Sequence, residues 1–289
     1  MIQDVMTRSH ADAIQRFLFQ EHDIRGQHIH LSQAWQSMLA DRHYPLVLVK
    51  LLGELTAFAA LLANGLKHPG RIILQVQGQG PVNLLVVEVT HELKLKGLAK
   101  TNAPITDQLS ANELLGEGQI LVTLENSLND HLYQSYVSRE GEQLIEALQN
   151  FLSQSEQLDS KLAIEVSEQA IGGLYLQKMP QTDEHDEDAW DRISHLTSTL
   201  KADELLDLDT PILLTRLFHE EVVELYEPKE AEYECIQDRQ RVATMIQSLG
   251  EQEARQIIAD EGEIVVFNDM CNYHERFSAA DIDELFKSN

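Results

Sequence analysis

The run from Leu46 to Ala63 is apolar at nearly every position, and no stable fold leaves it in water. It is either a membrane span or the central helix of a packed core. Lys50 and Glu54 fall four residues apart, on one face of the helix. A span of about 20 apolar residues would bury both charges in lipid. The run therefore reads as a core helix with one wet edge, stopped at Asn64-Gly65. A helix that is apolar almost all round needs partners on most sides. With 289 residues, 43% of them hydrophobic, the chain can supply them as one large domain or two to three modules.

Around this helix the periodicity predicts an α+β domain over residues 1–179. The first 45 residues read as two amphipathic helices. Ile14, Phe17 and Leu18 line one, Leu31, Ala34, Trp35, Met38 and Leu39 line the other, and Arg25-Gly26 marks a turn between them. After Gly65 the period falls to two. Strands are expected over Ile72 to Gln77, Leu84 to Val89, Leu93 to Lys100, Gln119 to Leu124, Leu132 to Val137, Leu162 to Val166 and Gly173 to Met179. An amphipathic helix runs from Gly141 to Gln154. Pro180 closes this domain, and Gln181 to Asp188 is a polar linker.

Residues 180–232 carry a net charge of −12 within a total of −26, the densest charge in the chain. Helices are expected through Trp190 to Leu200, Leu205-Leu206 and Ile212 to Phe218. Their apolar stripes are thin, so this segment should be only marginally stable. Residues 233–289 read as a small module: a strand near Cys235, helices Arg241 to Leu249 and Glu251 to Asp260, a hairpin Glu263 to Phe277, and a helix Ala279 to Phe286.

The acidic balance argues against nucleic-acid and anionic-membrane partners. Two cysteines make no disulfide scaffold, and Met1 to Val5 lacks a basic start to a signal peptide, so a cytoplasmic protein is expected. Gly78-Gln79-Gly80-Pro81 and Gly116-Glu117-Gly118 read as turns. They are not dinucleotide fingerprints, because proline and a following strand replace the helix such a loop must open. His219-Glu220-Glu221 reads as a solvated acidic face, since three consecutive residues point around a helix. No catalytic constellation emerges, so the expectation is a protein that is not an enzyme.

Motifs in shared order run nearly end to end. They include Arg25-Gly26, Gln77 to Leu84, Gly116 to Leu124, Ser155 to Leu158, Ile171 to Leu174, Gln177 to Pro180, Leu217 to Glu221, Tyr226 to Pro228, and Asp260 to Ile264. In these the chain resembles the redox-regulated bacterial heat-shock holdases of about 33 kDa, chaperones that work without ATP. The resemblance implies a client-binding domain at 1–179, a metastable helical linker at 180–232 that covers it, and a C-terminal zinc module at 233–289. In that family oxidation forms two disulfides, expels zinc and unfolds linker and module. Unfolded proteins are the implied partners, and dimerisation on activation is implied as well.

The chain departs from the family at the switch. A Cys-x-Cys pair and a Cys-x-x-Cys pair would supply four thiolates to a tetrahedral zinc. Here only Cys235 and Cys271 remain, and Gln237 and Asn268 stand at the other two positions. Amides are poor zinc ligands beside thiolate, so no cofactor is expected. Three fates remain open for the cysteines. They can be inert thiols. They can join with His274, Asp238 or Asp269 in a makeshift zinc site. Or, being neighbours if the fold is kept, they can pair across a loop of 37 residues. Val265-Val266-Phe267, with Ile236 and Met270 beside the cysteines, suggests that apolar packing replaces the metal. The leading expectation is an ATP-independent holdase released by heat, acid or oxidation. The alternatives are a thiol oxidoreductase using Cys235 and Cys271, with only Arg239 nearby to lower a thiol pKa, and a constitutive interaction module whose regulation is lost.

Overall fold

The structure, a computed structural model, describes residues 12–129, 131–137, 143–180 and 188–287. It divides into two compact units, Met1–Tyr233 and Glu234–Asn289. Most of the expected polar linker, residues 181–187, lies outside the described residues.

The first unit opens with strands β1 (Ala13–Phe19) and β2 (Ile24–Leu31), the short helix α1 (Gln33–Leu39) and the core helix α2 (Leu46–Asn64). Next come β3 (Gly70–Gln77), β4 (Val82–Thr90), β5 (Lys94–Thr101), α3 (Ala111–Leu115), β6 (Gln119–Asn126) and β7 (His131–Val137). Helix α4 (Leu144–Glu156) and strands β8 (Ser160–Val166) and β9 (Ile171–Lys178) follow. Then come three helices, α5 (Ala189–Thr197), α6 (Ala202–Asp207) and α7 (Thr210–Leu217), and the short strands β10 (Val223–Leu225), β11 (Lys229–Glu230) and β12 (Glu232–Tyr233).

These strands make two sheets. One runs in the order β10-β1-β2-β9-β8, with β11 also paired to β1; the other runs β12-β5-β4-β3-β6-β7. Helix α2 packs between them, and its apolar residues join both sheets in one core with Trp35, Met38, Ile72, Leu74, Val87 and Ile164. It is the one described helix long and apolar enough to cross a membrane, and it is mostly buried inside the protein. Its wet edge is as expected at Lys50, which is exposed, while Glu54 is largely covered.

The first expected helix is absent: Ala13–Phe19 and Ile24–Leu31 are paired antiparallel strands. Ile14, Phe17 and Leu18 imitate helical spacing because β1 is covered on both faces. Ile14 enters the core around α2, while Phe17 and Phe19 enter a second core on the other side. A strand buried on both faces loses its alternation. Arg25-Gly26 is likewise no turn. Gly26 stands opposite Phe17, whose ring occupies the space a side chain would need. The second expected helix survives as α1, with Ala34, Trp35 and Met38 buried. Strands β10 and β11, within the segment expected to be purely helical, also add to the edge of β1.

The second unit comprises α8 (Arg239–Leu249), α9 (Glu251–Glu261), the hairpin β13 (Glu263–Asn268) and β14 (Tyr273–Ser278), and α10 (Ala279–Lys287). Its core is small: Ala243, Ile246, Ala254, Ile264, Phe277 and Ile282. Gly250 and Gly262 bound α9, both at positive φ. Asp238 starts α8, its carboxylate accepting the Arg241 N–H at 2.9 Å.

Candidate functional site: a covered sheet face and a cysteine pair

One face of the first sheet carries Phe17 and Phe19 on β1, Ile24 on β2, and Leu174 and Leu176 on β9. All are buried beneath Ala189, Ile193, Leu205, Leu213, Leu214, Leu217 and Phe218 from the acidic helical segment. The stripes on these helices are narrow, and their central residues are buried while Trp190, Leu196 and Leu200 are partly covered and Ile212 is exposed. Phe218 meets Phe19 edge to face at 5.0 Å, and Phe19 meets Phe17 at 5.8 Å. Lifting the helices would expose the whole strip, and burial of such a side chain is worth about 1.5–3 kcal/mol.

Polar contacts fix the helices to the sheet. Glu221 accepts from Arg192 Nε at 3.0 Å and pairs with His22 Nε2 at 3.0 Å, tying α5, the segment after α7 and the β1–β2 turn together. Glu221 is therefore buried; of His219, Glu220 and Glu221, only the first two form the solvated face expected from the sequence. On β2, His28 Nδ1 lies 2.8 Å from Thr210 Oγ1 at the start of α7, and His30 Nε2 donates to the Leu206 carbonyl at 2.9 Å. Arg216 on α7 and Glu204 on α6 pair at 3.0 Å. At Gly172 the backbone of Leu205 approaches so closely that no Cβ fits between them.

A second apolar feature is open. Strand β7 ends the second sheet and displays Leu132, Tyr133 and Tyr136 to solvent. Beside it lies a groove of about 1100 Å³ with Phe58, Leu62, Phe151, Tyr175 and Tyr133 among its walls.

In the second unit Cys235 and Cys271 are joined by a disulfide, with Cα atoms 5.5 Å apart. Cys271 sits in the turn of the β13–β14 hairpin, where its N–H approaches the Asn268 carbonyl at 3.2 Å and Asn268 Oδ1 at 3.3 Å. Asn268 thus shapes the turn, and Gln237 is exposed. The zinc centre that the resemblance implies does not fit these residues. The two sulfurs are bonded to each other, Asp238 caps α8, and exposed His274 stacks on Phe267 at 4.5 Å. Among the described residues no group of three or more His, Cys, Asp or Glu converges as a metal site requires.

Apolar packing has not taken the metal's place either. Phe267 is 45% exposed and Ile236 72% exposed, and the core lies at the other end of the hairpin around Ile264 and Phe277. Arg239 braces that end. It pairs with Glu275 and Asp281, each at 3.0 Å, donates to the Arg276 carbonyl, and lies 4.2 Å over the Phe277 ring. The carboxylates hold its pKa above the usual arginine value.

Sequence reasoning missed His22, His28 and His30, and it placed Glu221 in solvent where the structure buries it against Arg192 and His22. Reading β1 and β2 as helices hid the alternation that places His28 and His30 on one face.

Residues 12–278 match the family model described as Hsp33 protein. The 33 kDa chaperonin of Neisseria meningitidis is 36% identical over 278 residues, covering 96% of this chain and 92% of that protein. The protein of the same name from Nitrosococcus oceani is 38% identical over 275 residues, covering 95% and 94%. The crystal structure of the Thermotoga maritima 33 kDa chaperonin superimposes with a TM-score of 0.77 at 23% identity, over 97% of this chain and 99% of that one, a likeness of fold.

Proposed function

Because this chain belongs to the Hsp33 family, we propose that it is an ATP-independent holdase whose latent client surface is the sheet face beneath residues 189–218. The observation that carries this reading is the pairing of an apolar strip, Phe17, Phe19, Ile24, Leu174 and Leu176, with a strongly acidic helical cover. Unfolded chains expose apolar side chains and would bind such a strip once the cover lifts. The relatives named above are chaperonins, and none carries an enzyme's name. A cytoplasmic location and dimerisation on release are part of the proposal.

The trigger differs from zinc release. Two joined sulfurs cannot form the family's two within-pair disulfides, and the Cys235–Cys271 bond closes a loop across 36 positions. Oxidation then fastens the second unit, where in the family it unfolds that unit. Heat or acid acting on residues 180–232 becomes the release step. A thiol oxidoreductase is disfavoured, because Arg239 is engaged by Glu275 and Asp281.

A second reading, constitutive binding, is favoured by the open β7 edge and its groove. Light scattering of a denaturing client, with the chaperone untreated or mildly preheated, separates the two. Suppression only after preheating supports the covered face. Equal suppression in both supports the open edge, and none in either sinks both. Size-exclusion chromatography of the preheated sample tests dimerisation.

A further inference from the structure

We propose that His28 is an acid-sensitive latch for the covering helices, and that protonation of its ring releases α6 and α7 from the sheet. The geometry allows the ring one partner, Thr210 Oγ1 at 2.8 Å on the cover itself. The other ring nitrogen, Nε2, is buried with no hydrogen-bond partner. A neutral ring satisfies this arrangement with little loss. A protonated ring carries two N–H donors and a charge, and the second donor has nothing to meet. Release of the cover is the movement that returns that donor to water.

The surroundings do not rescue the charge. His28 faces Gln15 on β1 and Leu174 on β9, its register partners. Two residues along, on the same side of β2, stands His30, a second imidazole in place of a carboxylate. On this side of the sheet, β8 carries Lys161 and Glu165, β9 carries Lys178 and β11 carries Glu230. In the cover, Glu204 is bound to Arg216 and Glu221 to Arg192. The remaining charged or titratable groups there are Asp188, Asp191 and His195 on and before α5, Lys201, Asp203 and Asp207 on and before α6, Asp209 before α7, His219 and Glu220 after it, and His22 on Glu221. None of these offsets the burial. Burial first, and His30 second, press the His28 pKa from 6.5 down to about 3.

The sign follows. The docked state holds His28 neutral, and the released state lets it bind a proton near its ordinary value. Docking is thus at full strength above about pH 6.5 and weakens about tenfold for each unit below it, until the docked ring itself titrates. Between pH 7.5 and 5.5 the opening equilibrium of the cover should rise about tenfold. The latch concerns docking alone. Its consequence for client binding rests on the holdase reading above.

The test is hydrogen exchange on the full chain at pH 7.5, 6.5 and 5.5, corrected for the intrinsic pH dependence of exchange. Amides of 202–217 are compared with those of β3 and β6. The expected result is about tenfold more opening of 202–217 at pH 5.5, with β3 and β6 unchanged. In His28→Asn, which keeps a polar atom near Thr210 but takes no proton, the pH dependence should vanish. A flat response in the unaltered chain, equal opening of β3 and β6, or acid opening retained by the variant would overturn the latch. Should His28→Asn not fold, NMR titration of the His28 ring decides. Protonation near pH 6.5 while 202–217 stays protected overturns the proposal, and a ring neutral at pH 5.5 wherever the cover is docked upholds it. Client binding is measured at the same pH values. Opening without client binding would refute the holdase reading and leave the latch standing.

Discussion

The Leu205 carbonyl rests directly on the backbone of Gly172, so that helix α6 touches strand β9 with no side chain between. Gly172 pairs with His30 on one side and Glu165 on the other, well inside the sheet. The strand cannot step aside, so an added methyl group must lift the helix. Gly172→Ala should raise exchange of 202–207 at neutral pH and give client binding without preheating. Its effect on the core around α2 should be small, since that core lies on the opposite face. Unchanged exchange in 202–207 would show that the helix can shift without releasing.

The clasp around Glu221 makes a second prediction. Its carboxylate is buried and receives both Arg192 and His22. Glu221→Ala removes a charged acceptor from two donors, which costs about 1.5–3 kcal/mol. The loss should appear as increased exchange across Ala189–Thr197. It should be smaller in 202–207, which has its own contacts to β2 and β9. Equal loosening of both segments would mean that the cover leaves as one body.

Much of this was legible in the sequence, and the failures have physical causes. Leu46 to Ala63 announced its own burial, and β3, β4 and β5 were readable because one face of each meets α2 and the other is more open. Ala13–Phe19 failed because both its faces are covered, one by α2 and one by a segment some 200 residues further along. Residues that pack on such a distant partner leave no local period. His28 and His30 were unreadable for the same reason: their significance lies in Thr210 and Leu206. The degenerate cysteine pattern was visible at once. The exposure of Phe267 was not, because an apolar residue in a two-stranded hairpin looks the same on either face.

That exposure puts the sensitive position of the second unit at Phe277, away from the cysteines. Phe267→Ala should change its stability by less than about 1 kcal/mol, as surface positions do. Phe277→Ala should cost about 3–5 kcal/mol, because Phe277 is buried in the small core and also lies beneath Arg239. Thermal unfolding of the two variants, followed by exchange in α8 and α10, checks the order. A larger loss at Phe267 would place the stabilising contacts at the cysteine end.

Reduction should loosen this unit. Opening the Cys235–Cys271 bond returns the entropy of a 36-position loop to the unfolded chain, worth about 4 kcal/mol on the chain-entropy model. A phosphine reductant should lower the unfolding temperature of residues 234–289, and Cys235→Ser with Cys271→Ser should reproduce the shift without reductant. Added zinc should restore nothing. Stabilisation of the reduced protein by zinc would show that the thiolates recruit ligands which the oxidised arrangement keeps apart.

The wet edge of the core helix sets the opposite pH limit to that of His28. Glu54 has its Oε2 buried without a hydrogen-bond partner. Burial first, then the Glu165 carboxylate, raise its pKa from 4.5 to about 7, with Lys50 pulling only partly the other way. A carboxyl whose folded value lies above its unfolded value favours the folded state most at low pH. That advantage is lost as pH rises from about 4.5 through 7, so at pH 8 the ionised group costs about 3 kcal/mol. Glu54→Gln removes the charge and keeps the shape. It should raise stability toward urea by about that amount at pH 8 and leave it nearly unchanged at pH 4.5. The control is Lys50→Met, which removes the partial counter-charge and should lower stability at pH 8. If Glu54→Gln is destabilising at pH 8, the Glu54–Lys50 attraction outweighs the burial, and the edge of α2 is held by an ion pair.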